Sequence, residues 1–243
     1  MQVKLISNTA SPLEVLYTSA RTCYSSDTAS IIYHDAIYEV EEDKKRELVL
    51  KVLRSGHRSI ARHINLTFTI DGISRATANQ LVRHQAGMAY SQQSLRYVKI
   101  KEDYEELMAL IYVDNLDNEA YKMCDKYFVN PYDIDKENHL YHCFAEYSIE
   151  ALTSYLALIR DGAKAEDARG VLGLNFKTNM VVTCNLEAFI HLCELRLCSR
   201  SQKEIRTMVS KMVDEVLSID DYKFLTEFMC AKCATCTEER KCV

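Results

Sequence analysis

Between Arg83 and Tyr97 the chain reads Arg-His-Gln-Ala-Gly-Met-Ala-Tyr-Ser-Gln-Gln-Ser-Leu-Arg-Tyr, placing two arginines, a histidine, three glutamines and two serines within fifteen residues. Guanidinium forks bind phosphate oxygens in pairs, and amides and hydroxyls read the edge of a polar ring, so this stretch suits a ligand that carries both. A nucleotide is such a ligand. The same residues also fit a helix end followed by a polar turn, with the arginines reaching only solvent or a carboxylate. Other cations that could serve an anionic ligand are Arg169, Arg196 and Arg200, with His57, His84 and His191 beside them in type. The six glycines form neither Gly-x-Gly-x-x-Gly nor a P-loop, so any nucleotide must be held by side chains. Ser91 and Ser94 lie in no Gly-x-Ser-x-Gly elbow, and the acidic residues gather where they read as solvated helix surface rather than as an acid/base pair.

The charge is segregated. Residues 54–99 hold seven Lys/Arg against the single acid Asp71, whereas residues 101–137 hold eleven Asp/Glu against four Lys, within a chain of net charge −5. That pattern points to a local anion site in an acidic protein, and a general nucleic-acid binder would be basic throughout. With 243 residues, 48% hydrophobic and 27% charged, the chain has ordinary globular composition and room for a sizeable core. No run of eighteen apolar residues occurs, and the start Met-Gln-Val-Lys-Leu-Ile-Ser-Asn lacks signal-peptide character. Neither membrane nor export is expected, and cytoplasm is the default.

Elements must position these groups. Val3 and Leu5 read as a short strand, and Ser11-Pro12 opens a helix to Tyr24. Residues 25–33 are polar enough to read as loop, and Glu41–Leu53 as an amphipathic helix stopped at Ser55-Gly56. Asn65–Ile70 alternates apolar with polar residues as a strand does, with Asp71-Gly72 as its break. Ser74 can cap a helix to about Gln85, in which Gln80, Arg83 and His84 share a face. A loop at 87–93 and a strand over Leu95–Ile100 follow, then an acidic helical stretch over Glu105–Tyr127 and a break at Pro131. A long helix to Arg160 carries Leu140, Phe144, Tyr147, Ala151, Tyr155 and Ile159 as its expected core stripe, with Gly162 past its end. Lys177–Thr183 reads as a strand, Asn185 as the N-cap of a helix to about Cys198, and Ser201 with Glu204 as a capping box before a last helix with Ile205, Met208, Val209, Met212 and Val216 inside. His191 and Arg196, five apart, are expected to point in different directions. The sum is an α/β chain of the α+β type: one mixed domain with a small, mostly antiparallel sheet flanked by long helices.

Arg83-His84-Gln85, followed after eight residues by Ser94-Leu95-Arg96-Tyr97, resembles the signature of the flavin-dependent thymidylate synthases. Arg21-Thr22-Cys23-Tyr24, Gly56-His57-x-Ser59, Ile73-Ser74-Arg75, Gln80-Leu81-Val82-Arg83-His84, Glu166-Asp167-Ala168-Arg169, Val182-Thr183-x-Asn185 and Leu195-Arg196 extend the resemblance in family order over nearly the whole chain. The resemblance implies reductive methylation of dUMP to dTMP, with methylenetetrahydrofolate as one-carbon donor, FAD as hydride carrier and NADPH as reductant. It implies that Gln80, Arg83, Gln92, Gln93, Ser94, Arg96 and Arg169 hold dUMP, with Arg96 and Arg169 on its phosphate. His57, Ser59, Arg83, His84, Gln85, Asn185, Glu187 and His191 would lie along FAD, and Arg196 would be the catalytic arginine against the uracil ring. It further implies a homotetramer whose sites are shared between subunits, with no nucleic-acid partner.

The sequence departs from that pattern at four places: Gln85 where the family usually has arginine, the spacer after it about one residue longer than usual, Arg62 where an acid is common, and Gly173 where proline is common. Residues 1–229 are expected to form the synthase-like domain, and 230–243 a Cys-rich tail with Cys230, Cys233, Cys236 and Cys242. Zinc, an iron–sulfur cluster and metal-free thiols all remain open for that tail, and no metal is assigned to the site. The six other cysteines read as reduced core thiols. Two rivals stand beside the synthase: a flavin- and nucleotide-binding homologue without synthase activity, and a nucleotide- or nucleic-acid-binding protein with a zinc tail.

Overall fold

The computed structural model describes residues 1–102, 104–111, 118–130 and 138–226. In chain order the strands are β1 Gln2–Asn8, β2 Asn65–Ser74, β3 Met88–Gln92 and β4 Lys177–Asn185. The helices are α1 Pro12–Thr22, α2 Ala29–Tyr38, α3 Glu42–Arg54, α4 Arg75–Leu81, α5 Tyr104–Ile111, α6 Asn118–Tyr127, α7 His139–Arg160, α8 Ala165–Ala168, α9 Leu186–Arg196 and α10 Lys203–Leu217, with a 3-10 helix at Arg58–His63. The strands form one sheet in the order β1-β2-β4-β3, with β1 antiparallel to β2, and long helices account for most of the rest. The fold class is the expected one. The Cys-rich tail and Pro131 lie outside the described residues.

The described residues gather into two compact units, one of residues 1–71, 80–91 and 181 onward, the other of residues 72–79 and 92–180. The chain passes from one to the other inside β2, α4, β3 and β4, so no proline- or glycine-rich linker marks the change. In the first unit, the alternation read from β2 puts Leu66, Phe68 and Ile70 fully inside, and Phe189 of α9 brings its ring to 5.7 Å from Phe68. The predicted stripe of α10, Ile205, Met208, Val209, Met212 and Val216, is wholly buried. Each such side chain contributes about 1.5–3 kcal/mol by leaving water, an upper estimate because the unfolded chain already hides part of it.

The second unit is built on α7, and here the expected stripe is only partly inside: Tyr155 is fully buried and Phe144 and Ile159 pack against the core. The buried side is Tyr141, Ala145, Ile149, Leu152, Tyr155 and Leu156, while Leu140 and Tyr147 are 59% and 69% exposed and, with Phe144 and Ala151, edge a groove of about 500 Å³. The helix carries two apolar stripes, and only the packing of α5, α6 and α8 decides which one is covered.

Other differences have local causes. Residues 29–38 form α2 because Thr28 accepts a hydrogen bond from the Ile31 amide at 3.4 Å, turning polar residues into a cap. Gly72 does not break β2; its φ of +70° keeps the strand running to Ser74, and its amide donates to Asn179 at 2.9 Å. Ser74 caps α4 through the Thr77 amide as expected, but α4 ends at Leu81, so Gln80, Arg83 and His84 do not share a helical face. The expected loop at 87–93 contains β3, whereas the expected strand at 95–100 begins as a turn closed by the Tyr97 and Val98 amides on the Ser94 carbonyl. No capping box starts α10: its N-cap is Gln202, without a side-chain bond, and the Ser201 hydroxyl donates to the Leu195 carbonyl. The six described cysteines are thiols, but Cys23 is exposed rather than core, and burial pushes the Cys184 thiol up to about 12.

Candidate functional site

In the first unit the turn between α4 and β3 carries Arg83, His84 and Gln85. Tyr90, on β3, holds this turn by placing its hydroxyl 2.9 Å from the Leu81 carbonyl and 2.5 Å from the His84 carbonyl. The His84 ring then meets the end of α9. Arg196 Nε donates to His84 Nε2 at 3.0 Å, and the His191 ring stands edge-on to His84 at 6.3 Å. Burial lowers the pKa of His84, and the neighbouring Arg196 and His191 lower it further. A neutral ring that accepts at Nε2 carries its proton on Nδ1. His191 and Arg196 therefore converge on one residue, contrary to the divergence expected from their spacing. No carboxylate among the described residues pairs with Arg196.

Asn185 closes β4 and caps α9, its side chain accepting from the Ala188 amide at 2.9 Å. Its own amide donates to the Gly87 carbonyl at 3.0 Å. Gly87 has φ +71°, and a Cβ there would fall 2.5 Å from Asn185 Nδ2, so this approach of turn to strand requires glycine. Around it lies a recess of about 610 Å³, lined by Arg58, Arg62, Ala86, Gly87, Asn185, Glu187, Ala188 and His191. Glu187, His191 and Glu194 follow at helical spacing on α9 and face the 3-10 helix. There Arg58 forks onto Glu194 at 3.0 and 2.6 Å, and Arg62 donates to Glu187 through Nε and Nη2. His57 and Ser59 are exposed at the start of the 3-10 helix, and Gln80 donates to Gln202. Arg83 and Gln85 are exposed.

The second unit holds the other half of the expected residues. Gln92 donates to Thr178 at 3.2 Å; the Gln93 amide donates to the Asn179 carbonyl at 2.9 Å, and Asn179 Nδ2 donates to the Gln93 side chain at 3.0 Å. Thr178 and Asn179, on opposite faces of β4, thus fix the strand end from which Ser94 turns. Ser94 Oγ accepts from the Arg96 amide at 3.3 Å. Arg96 pairs with the Glu166 carboxylate at 2.9 Å, and Arg169 Nε donates to the Glu166 carbonyl at 3.1 Å. Arg75, at the start of α4, was not singled out for charge by the sequence. Its Nε is buried with no hydrogen-bond partner among the described residues, and burial together with the charge of Arg169 lowers its pKa. Two guanidinium groups that repel in a half-dry setting favour a dianion such as a phosphate monoester.

His57, Ser59, Gln80, Arg83, His84, Gln85, Asn185, Glu187, His191 and Arg196 thus belong to the first unit, and Gln92, Gln93, Ser94, Arg96 and Arg169 to the second. Arg75, Arg58, Arg62 and Tyr90 join them. Of these, Arg75 has a signal in the sequence through its place in Ile73-Ser74-Arg75, and Arg62 through its departure from the family pattern.

A family model described as thymidylate synthase complementing protein matches residues 4–220. The flavin-dependent thymidylate synthase of Pyrococcus furiosus is 32% identical over 223 residues, covering 92% of this chain and 82% of that protein. The enzyme of the same name from Pyrococcus horikoshii is 33% identical over 229 residues, covering 94% and 84%. Among solved structures, thymidylate synthase X from Helicobacter pylori with FAD and dUMP superposes with TM-score 0.71 at 22% identity, over 94% of this chain and 99% of that one. A UMP/dUMP methylase from Streptomyces cacaoi bound with 5-Br dUMP gives TM-score 0.67 at 20% identity, over 95% and 96%. These two share the fold.

Proposed function

The chain belongs to the thymidylate synthase complementing protein family, the flavin-dependent thymidylate synthases, and from that premise we propose that it methylates dUMP to dTMP with FAD, taking the carbon from methylenetetrahydrofolate and the reducing equivalents from NADPH. The observation that carries this reading is Arg196, whose fork is anchored through Nε to a neutral His84 and meets no carboxylate among the described residues. Its remaining donors are thereby held in one orientation as an uncompensated cation. Set against a uracil ring, such a cation favours the anion at N3, raises electron density at C5 and so assists attack on the methylene carbon with loss of the C5 proton.

The residues of the first unit fit a flavin nucleotide. Gly87 lets the turn pack against Asn185 at the edge of the recess, and the recess supplies amide, imidazole and guanidinium donors. When bound, FAD supplies the hydride that reduces the transferred carbon to a methyl group. His57, Ser59, Arg83, His84, Gln85, Asn185, Glu187 and His191 are proposed along it.

For dUMP, Arg96, Arg169 and Arg75 supply charge for the phosphate, while Gln80, Arg83, Gln92, Gln93 and Ser94 supply hydrogen bonds to sugar and ring. The Glu166 contacts keep Arg96 and Arg169 in place until a stronger dianion arrives. A homotetramer with shared sites, a cytoplasmic location and a synthase domain over 1–229 followed by the Cys-rich tail complete the proposal. Among the described residues no helix is long and apolar enough to cross a membrane. Purified protein should show flavin absorption and form dTMP only with dUMP, methylenetetrahydrofolate and NADPH together; a colourless protein that binds no added FAD would refute it.

A further inference from the structure

We infer that Arg62 is a diphosphate contact for the flavin nucleotide in this chain, with Glu187 as the group that positions it. The inference rests on the flavin reading above and adds a residue that was not assigned to it. In the first unit the recess beside Gly87 and Asn185 is lined by two arginines, Arg58 and Arg62, both from the 3-10 helix Arg58–His63. They differ in how they are held. Arg58 is clamped on Glu194 through both terminal nitrogens, and its side chain is 30% exposed. Arg62 is bound to Glu187 through Nε and Nη2, with 63% of its side chain exposed, which leaves the Nη1 donors available to a second acceptor. A carboxylate on one edge of a guanidinium and a phosphate on another is a geometry that five fixed donors allow and a lysine does not. The residue after His84 is the neutral, exposed Gln85, which brings no charge to this end of the turn. The 3-10 helix therefore supplies cationic charge at the recess from a different element.

The alternative is that the two ion pairs only fasten the 3-10 helix to α9. The test separates the two by comparing riboflavin, which has no phosphate, with FAD, using flavin fluorescence on the full-length apo protein. Arg62→Gln should weaken FAD about ten- to a hundred-fold, the range of a lost charge-assisted hydrogen bond, while riboflavin affinity and the thermal midpoint stay unchanged. Arg62→Lys should recover only part of the loss, and adding Gln85→Arg to Arg62→Gln should recover part of it through charge alone. Equal FAD affinity in wild type and Arg62→Gln, or an equal loss for riboflavin and FAD, would overturn the inference. A wild-type protein that binds neither flavin would instead overturn the flavin reading itself.

Discussion

The two units handle positive charge in opposite ways. In the first, the two arginines of the recess are matched, Arg58 to Glu194 and Arg62 to Glu187, while Arg196 is held by a neutral imidazole. In the second, Arg75 and Arg169 stand near each other with the pKa of Arg75 lowered, and one carboxylate, Glu166, serves Arg96 while its carbonyl serves Arg169. Matched charge holds side chains in fixed directions, as a tightly retained cofactor requires. Under-compensated charge keeps repulsion in place until an anion relieves it, as a substrate that must come and go requires.

On that contrast the largest effect should come from Arg196, a cation of the first unit that meets no carboxylate among the described residues. Arg196→Ala should lower kcat by about a hundred- to a thousand-fold with a much smaller change in dUMP affinity, the magnitude seen when one preorganised donor is lost. A change confined to KM would place Arg196 in binding alone. Next, Gly87→Ala forces a side chain into a positive φ and against Asn185, which should cost about 1–3 kcal/mol in unfolding and release flavin. Denaturation with and without FAD measures both, and an unchanged midpoint would show that the turn can shift away from β4.

In the second unit, Arg75→Gln should raise the Kd for dUMP about ten-fold or more, and deoxyuridine, which lacks the phosphate, should show no such loss. An equal loss for both ligands would mean that Arg75 only supports the fold. The smallest effect concerns pH. The pKa of His84 in the folded protein lies below its ordinary 6.5, so the neutral ring stabilises the folded state above that value and the contribution is lost as pH falls through the folded pKa. The Arg196–His84 bond should break over the same range below 6.5, and His84→Gln, which keeps an acceptor, should flatten the acid limb of the kcat profile. An acid limb identical in both proteins would assign it to another group.

Much of this was legible in the sequence where the cause is local. The alternation of β2, the Asn185 cap and the stripe of α10 depend on residues within a few positions of each other, and they stand as read. The residues around His84 and Ser94 stand out in the sequence because their types are unusual for a core. What was missed depends on contacts made far along the chain. Arg62 meets Glu187 across 125 positions, and Gln92 meets Thr178 across 86. On α7 the expected stripe fails at Leu140 and Tyr147, because two apolar stripes compete and only neighbouring helices choose between them. The meeting of His191 with Arg196 needed His84 as a third body, which helical spacing alone does not contain.

The central claim is that an oriented arginine and a flavin in this chain act together on C5 of dUMP. Release of tritium from 5-labelled dUMP by the FAD-loaded protein, in the presence of NADPH and methylenetetrahydrofolate, tests it most directly. The account predicts release that requires both co-substrates and is lost in Arg196→Ala. Flavin that is bound and reduced by NADPH without any release of tritium would contradict it.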